Sequence, residues 1–200
     1  MPVHSRKAVT LMELLIAMVL FGLIVLGVTN VETFSRYHLL ASDRRAKLQN
    51  TISTCLEHMT KNLSQAIGNE ALGVGVVWYG VSGGNYYLTA RVDTNSNGMA
   101  EGWQVDYISG YKFNYANHNL YYCNNCFDSP YSLCTGTEEV LTNNITAFTA
   151  SKSFSGGNNY INVDLTACWD PAQATAVCGT PDNPTVSMSA SIIMPSVATN

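Results

Sequence analysis

The sequence predicts an α+β protein: one long N-terminal helix, transmembrane and then amphipathic, packed on an antiparallel, disulfide-containing β-sheet. Three observations predict it. Residues 9–31 are apolar except for Thr10, Glu13, Thr29 and Asn30. From Tyr37 to Ile67 apolar side chains recur every three or four residues, and no Pro occurs anywhere in 9–67. Beyond Gly68 the chain changes to short runs rich in Tyr, Val and Trp, separated by Gly and Asn.

The first run is long enough to cross a bilayer as a helix, which takes about 20 apolar residues. His4, Arg6 and Lys7 precede it, so the positive-inside rule keeps the leader in the cytoplasm and exports the rest. Thr29-Asn30-Val31-Glu32 follows the run without a small-residue cleavage pattern, and the apolar segment is therefore expected to be retained. Glu13 is the anomaly. A carboxylate near the start of a membrane helix is costly unless it finds a partner, and such a residue is functional by default.

Arg6-Lys7-Ala8-Val9-Thr10-Leu11-Met12-Glu13-Leu14-Leu15-Ile16 resembles the prepilin leader-peptidase motif of type IV pilins and type II secretion pseudopilins. Ala8 stands where that family usually has Gly, and Val9 where Phe or Met is most familiar. The resemblance implies cleavage by prepilin peptidase between Ala8 and Val9, methylation of the new N-terminus, and Glu13 as the fifth residue of the mature chain. It also implies the missing partner, the N-terminal amine of an adjacent subunit. A carboxylate and an ammonium attract far more strongly in an apolar filament interior than in water, so Glu13 would set the assembly register.

The second run places Tyr37, Leu40, the stem of Arg44, Leu48, Ile52, Cys55, Leu56, Met59, Leu63, Ala66 and Ile67 on one helix face. Gly68-Asn69 is a stop signal, so the helix would reach about 90 Å at roughly 1.5 Å per residue. The segment 55–68 resembles the helix end of the larger minor pilins and J-type pseudopilins. The expected organisation is a cleaved leader (1–8), a membrane or filament-core half-helix (9–31) and an exported domain (32–200) that includes the amphipathic half-helix (32–67). Strands are expected at 75–79, 86–92, 103–108, 111–115, 120–123, 145–154, 160–167 and 185–194, with 156–159 as a hairpin loop.

Composition narrows the function classes. Charged residues are only 12% of the 200, the net charge is −4, and Lys and Arg lie mostly before Lys61. An exported domain so poor in basic residues is a weak match to a phosphate backbone, and no nucleic-acid partner is expected. Few acids, no paired His among His4, His38, His58 and His118, and no nucleophile motif argue against an enzyme.

Two constellations remain. Asp93-x-Asn95-x-Asn97-Gly98, with Glu101 at the ninth position, matches the opening of a calcium loop, although Gln104 at the twelfth cannot supply a bidentate carboxylate; a simple hairpin turn is the alternative. Cys55, Cys123, Cys126, Cys134, Cys168 and Cys178 read as a disulfide framework in an oxidising compartment, with the pairing open; Cys55 could equally pack as a small apolar group. The expectation is a structural subunit of a type IV pilus or secretion pseudopilus. It would be held in the inner membrane by its helix before assembly and then reside in a periplasmic or extracellular filament among other pilin subunits. It would need no cofactor, with Ca2+ as an option. The alternative is a filament-borne or anchored adhesin, for which the Tyr-rich loops would supply contacts.

Overall fold

The computed structural model describes residues 10–69, 77–93, 97, 107–124, 138–155, 158–172, 177–194 and 197–198. The chain divides into two compact units, Met1–Ser42 and Asp43–Asn200. One helix, α1 (Leu11–Leu63), supplies residues to both.

In the first unit, residues 10–40 are all exposed. Two of its threonine hydroxyls are satisfied locally: Thr29 Oγ1 donates to the Leu26 carbonyl at 3.0 Å and Thr33 Oγ1 to the Thr29 carbonyl at 2.8 Å. Such back-bonding lets Thr sit in an apolar helix without an orphan donor. Glu32 and Arg36 form an exposed pair one turn apart at the end of the apolar stretch.

In the second unit, the buried face of α1 is Leu48, Ile52, Cys55, Leu56, Met59 and Leu63. That is the expected three-and-four spacing, but the stripe starts later than the sequence suggested, because Tyr37 and Leu40 are exposed. The helix also stops at Leu63 rather than Ile67. The Ile67 N–H donates to the Arg91 carbonyl at 3.0 Å and Ala66 bridges Val92, so the sheet edge takes the backbone bonds that another helical turn would have used.

Beyond it lie β1 (Gly68–Asn69), β2 (Val77–Ser82), β3 (Asn85–Val92), β4 (Tyr107–Asn114), β5 (Leu120–Cys123), β6 (Glu138–Thr142), β7 (Ile145–Ser155), β8 (Asn158–Cys168), β9 (Thr185–Ile193) and β10 (Val197–Ala198). Where one sheet was expected there are two main ones, both antiparallel, in the orders β2-β3-β4-β5-β6 and β7-β8-β9; β1 and β10 form a short parallel pair. Gly83 and Gly84, with φ of 55° and 76°, make the turn that pairs Ser82 with Asn85. The runs expected at 103–108 and 111–115 are joined by β4. Gly110, read from sequence as a break, lies inside that strand opposite Thr89, where an added Cβ would come within 2.5 Å of the Thr89 methyl.

One core serves the helix and both sheets: Ile52, Met59 and Leu63 pack in a cluster with Leu88, Tyr111 and Phe113 and with Phe148, Ile161 and Leu165. Burying such side chains contributes about 1.5–3 kcal/mol each against the entropy of ordering the chain. Tyr86 of β3 ties the sheets together. Its hydroxyl accepts the Ala150 N–H at 2.9 Å, and its ring meets Phe148 edge-on at 5.1 Å. Along β8, Ile161, Val163, Leu165 and Ala167 are buried, while the intervening side chains form cross-strand bonds with β9, as in Asp164 with Ser189 and Asn162 with Ser191.

Disulfide Cys168–Cys178 closes a loop after β8, and Asn183, fully buried, accepts the Asp170 N–H and donates to the Asp170 carbonyl, both at 2.9 Å. Arg44 of α1 donates to the Asp182 carbonyl and stacks over Trp169 at 5.8 Å. Cys123 is also disulfide-bonded, while Cys126 and Cys134 lie outside the described residues. Cys55 is free and buried, so of the two roles open to it the chain uses packing and not a staple. Burial pushes its thiol up to about 11, which leaves it protonated and unreactive.

The helix is latched to the five-stranded sheet by a polar knot. Tyr111 Oη lies 3.0 Å from His58 Nδ1 and accepts from Asn62 Nδ2 at 3.1 Å, and Tyr122 meets the His58 ring edge-on at 4.6 Å. Burial lowers the pKa of His58 below its ordinary 6.5; Glu139 opposes that shift and Lys61 adds to it. A depressed histidine pKa means that the unfolded chain takes up the proton first, so the stability held above pH 6.5 is lost as pH falls below it. Urea unfolding midpoints measured from pH 8 to pH 5 should drop on acidification, and His58→Gln should flatten that drop. An unchanged slope in the variant would remove His58 as its source.

Candidate functional site

The residues singled out at the N-terminus form one local structure. A helix leaves its first four N–H groups without intrahelical partners, and a Ser or Thr cap with Glu three residues on satisfies two of them reciprocally. Thr10 and Glu13 do this. The Glu13 N–H donates to Thr10 Oγ1 at 3.2 Å, the Thr10 N–H donates to Glu13 Oε2 at 2.9 Å, and the Thr10 hydroxyl donates to the same oxygen at 3.1 Å. The Leu14 N–H closes the first turn on the Thr10 carbonyl at 3.2 Å.

Glu13 therefore has a partner inside its own chain. Its negative charge also sits at the positive end of the helix dipole. The sequence reading treated this carboxylate as unpartnered, yet the Thr-x-x-Glu spacing that signals a capping box was there to be read.

Past the box the helix is apolar and uncovered. Leu11, Met12, Leu14, Leu15 and Ile16 are all exposed, and α1 carries an 18-residue window of mean hydropathy 2.7, long and apolar enough to cross a membrane. Both Thr10 bonds fall on Oε2, and Glu13 Oε1 has no partner among the described residues.

A family model for the prokaryotic N-terminal methylation motif matches residues 3–29. The chain carries the type IV pilin and pseudopilin signature. The motif spans Ala8, Val9, the Thr10–Glu13 box and nearly all of the apolar run, and it supports a pilin-like substrate of prepilin peptidase. No curated protein and no solved structure matches the chain. Ala8 and Val9 themselves lie outside the described residues.

The calcium expectation is divided in the same way: Asp93 and Asn97 are described, and Asn95 and Glu101 lie outside the described residues. Among the described residues, no group of three or more His, Cys, Asp or Glu side chains is gathered to hold a metal ion.

Thr10→Val keeps the shape of the cap and removes its hydroxyl. Hydrogen exchange on the full chain in detergent micelles should then show the Glu13 amide exchanging severalfold faster, the scale of a lost N-cap, with the amides of residues 48–63 unchanged. Equal exchange at Glu13 would mean that the box contributes nothing in an apolar medium.

Proposed function

We propose that this chain is a minor pilin or pseudopilin, a structural subunit rather than an enzyme. Prepilin peptidase removes residues 1–8, the apolar half of α1 holds the mature protein in the inner membrane, and the same surface then packs into a type IV pilus or a type II secretion pseudopilus. The carrying observation is the methylation motif laid over a capped, wholly exposed apolar helix.

In this reading Glu13 keeps its Oε2 bonds to Thr10 and offers Oε1 to the Val9 ammonium of a neighbouring subunit. The pairing is strong only where water is excluded, because an ion pair in high dielectric contributes little and one in an apolar interior attracts strongly. The carboxylate thus distinguishes a correctly seated neighbour from a free membrane monomer.

The test is co-expression of the full chain with a prepilin peptidase and the other filament subunits, with the mature N-terminus read by mass spectrometry. Wild type should begin at Val9. Glu13→Ala should be cut but enter filaments poorly. Glu13→Gln separates the two roles of the residue, because Gln completes a capping box but offers no charge to an ammonium; it too should assemble poorly. A chain left uncut would overturn the filament reading, and full assembly of Glu13→Gln would reduce Glu13 to a cap.

A further inference from the structure

Far from the N-terminal motif in sequence, three segments of the second unit converge on a polar cleft of about 370 Å³. That volume lies at the small end of the roughly 300–1,000 Å³ range of ligand sites. His118 and Asn119 come from the β4–β5 connection, Asn143 and Asn144 from the β6–β7 connection, and Trp169 and Asp170 from the end of β8.

The walls are fixed by their own backbone bonds. The His118 N–H donates to the Asn114 carbonyl and the Asn114 N–H to the Asn119 carbonyl, both at 3.0 Å; the Ile145 N–H reaches the His118 carbonyl at 3.1 Å. Asn144 Nδ2 donates to the Trp169 carbonyl at 2.7 Å, and the Cys168 N–H to the Asn144 carbonyl at 2.9 Å. His118 holds φ at 59°, a left-handed conformation that costs a non-glycine residue energy and recurs where a side chain must be aimed at a ligand.

Much of the cleft's hydrogen-bonding capacity is left over. His118 Nδ1 donates to the Ile145 carbonyl at 3.2 Å, and Nε2 has no partner among the described residues. Asp170 uses Oδ1 to accept the Ala172 N–H, and its Oδ2 has no partner among the described residues. Asn119 donates one amide N–H to Tyr121 Oη at 2.9 Å and keeps the second, together with its side-chain carbonyl oxygen. The exposed Asn143 amide has no partner among the described residues. Trp169 adds an aromatic ring.

We propose that this cleft binds one residue of a neutral saccharide. The free groups are donors as well as acceptors, with the amide N–H groups of Asn143 and Asn119 beside the oxygens of Asn119 and Asp170, and several vicinal hydroxyls on one ring, which both donate and accept, meet that demand in a small volume. Trp169, half-buried and with Arg44 over its ring, leaves part of the indole at the cleft wall for a sugar's C–H groups. No Lys or Arg lines the cleft and Asp170 does, so phosphate, sulfate and carboxylate ligands are disfavoured. The inference goes beyond filament assembly and does not depend on it, since every lining residue lies in the second unit.

The probe is a panel of immobilised neutral mono- and disaccharides of glucose, galactose, mannose and N-acetylglucosamine, with sulfated and sialylated counterparts and short acidic peptides alongside. It is presented to the full chain in an amine-oxide detergent, because a glycosidic detergent would compete. Saturable binding of a neutral sugar is expected, with a shift of the Trp169 indole N–H resonance. Asn143→Ala and Asp170→Asn, which spare the bonds that hold the loops, should each weaken it about three- to tenfold with unchanged melting. No binding up to about 10 mM sugar, wild-type affinity in both variants, or preference for the anionic or peptide probes would each overturn the proposal.

Discussion

A backbone that enters hydrocarbon must satisfy its own hydrogen bonds, and a helix is the one single-segment structure that does so. That constraint governs this chain. An α-helix pairs its amides internally from the second turn onward, and only the first turn has donors left over. Thr10 and Glu13 stand at that turn, so the two polar side chains that look out of place in an apolar run are where the backbone needs them. The same self-sufficiency allows α1 to continue from Leu11 to Leu63, because nothing in it depends on a sheet or on water until side chains require cover.

Cover is the second demand, and the two units meet it differently. Residues 10–40 present large apolar side chains with nothing over them, the condition of a surface meant for lipid or for other chains. From Leu48 onward the helix face is buried, and it takes two sheets to bury it. Tyr86 joins those sheets by its hydroxyl and ring, while Tyr111 receives a side-chain bond from the helix. Several of the many tyrosines are therefore structural hinges of polarity: their rings fill the core and their hydroxyls terminate hydrogen bonds that would otherwise be orphaned.

What the sequence made legible follows from range of interaction. The helix, the alternation along β9 and the hairpin between β7 and β8, whose second strand starts at Asn158 inside the loop expected at 156–159, depend on neighbours close in sequence, and local pattern reports those directly. The division into two sheets depends on which strands meet across the core, which no local pattern records. Gly110 shows the limit well. A glycine between two strand-like runs reads as a turn, yet here it is required by the close approach of Thr89, a residue on another strand. β6 was missed because Glu138-Glu139-Val140 is exposed and lacks alternation. The cleft was missed for a related reason: its amides come from three loops, each of which alone looks like an ordinary turn. The capping box, by contrast, was fully local and could have been read.

The box also changes how Glu13 acts in the proposed assembly. If the carboxylate were unpartnered in the monomer, pairing it would drive association by itself, and any ammonium in reach would serve. Because Thr10 holds only Oε2, it fixes where Oε1 sits, and the new pair on that oxygen is favourable only where geometry is good and water is gone. The drive toward the filament must then come from burying the exposed apolar face, which is non-directional and would tolerate many offsets between helices. A carboxylate held in place by Thr10, which gains only at one offset, supplies the direction that burial lacks. In the proposed assembly, affinity and register are thus carried by different residues of the same helix, the first by Leu11 to Leu40 and the second by Glu13.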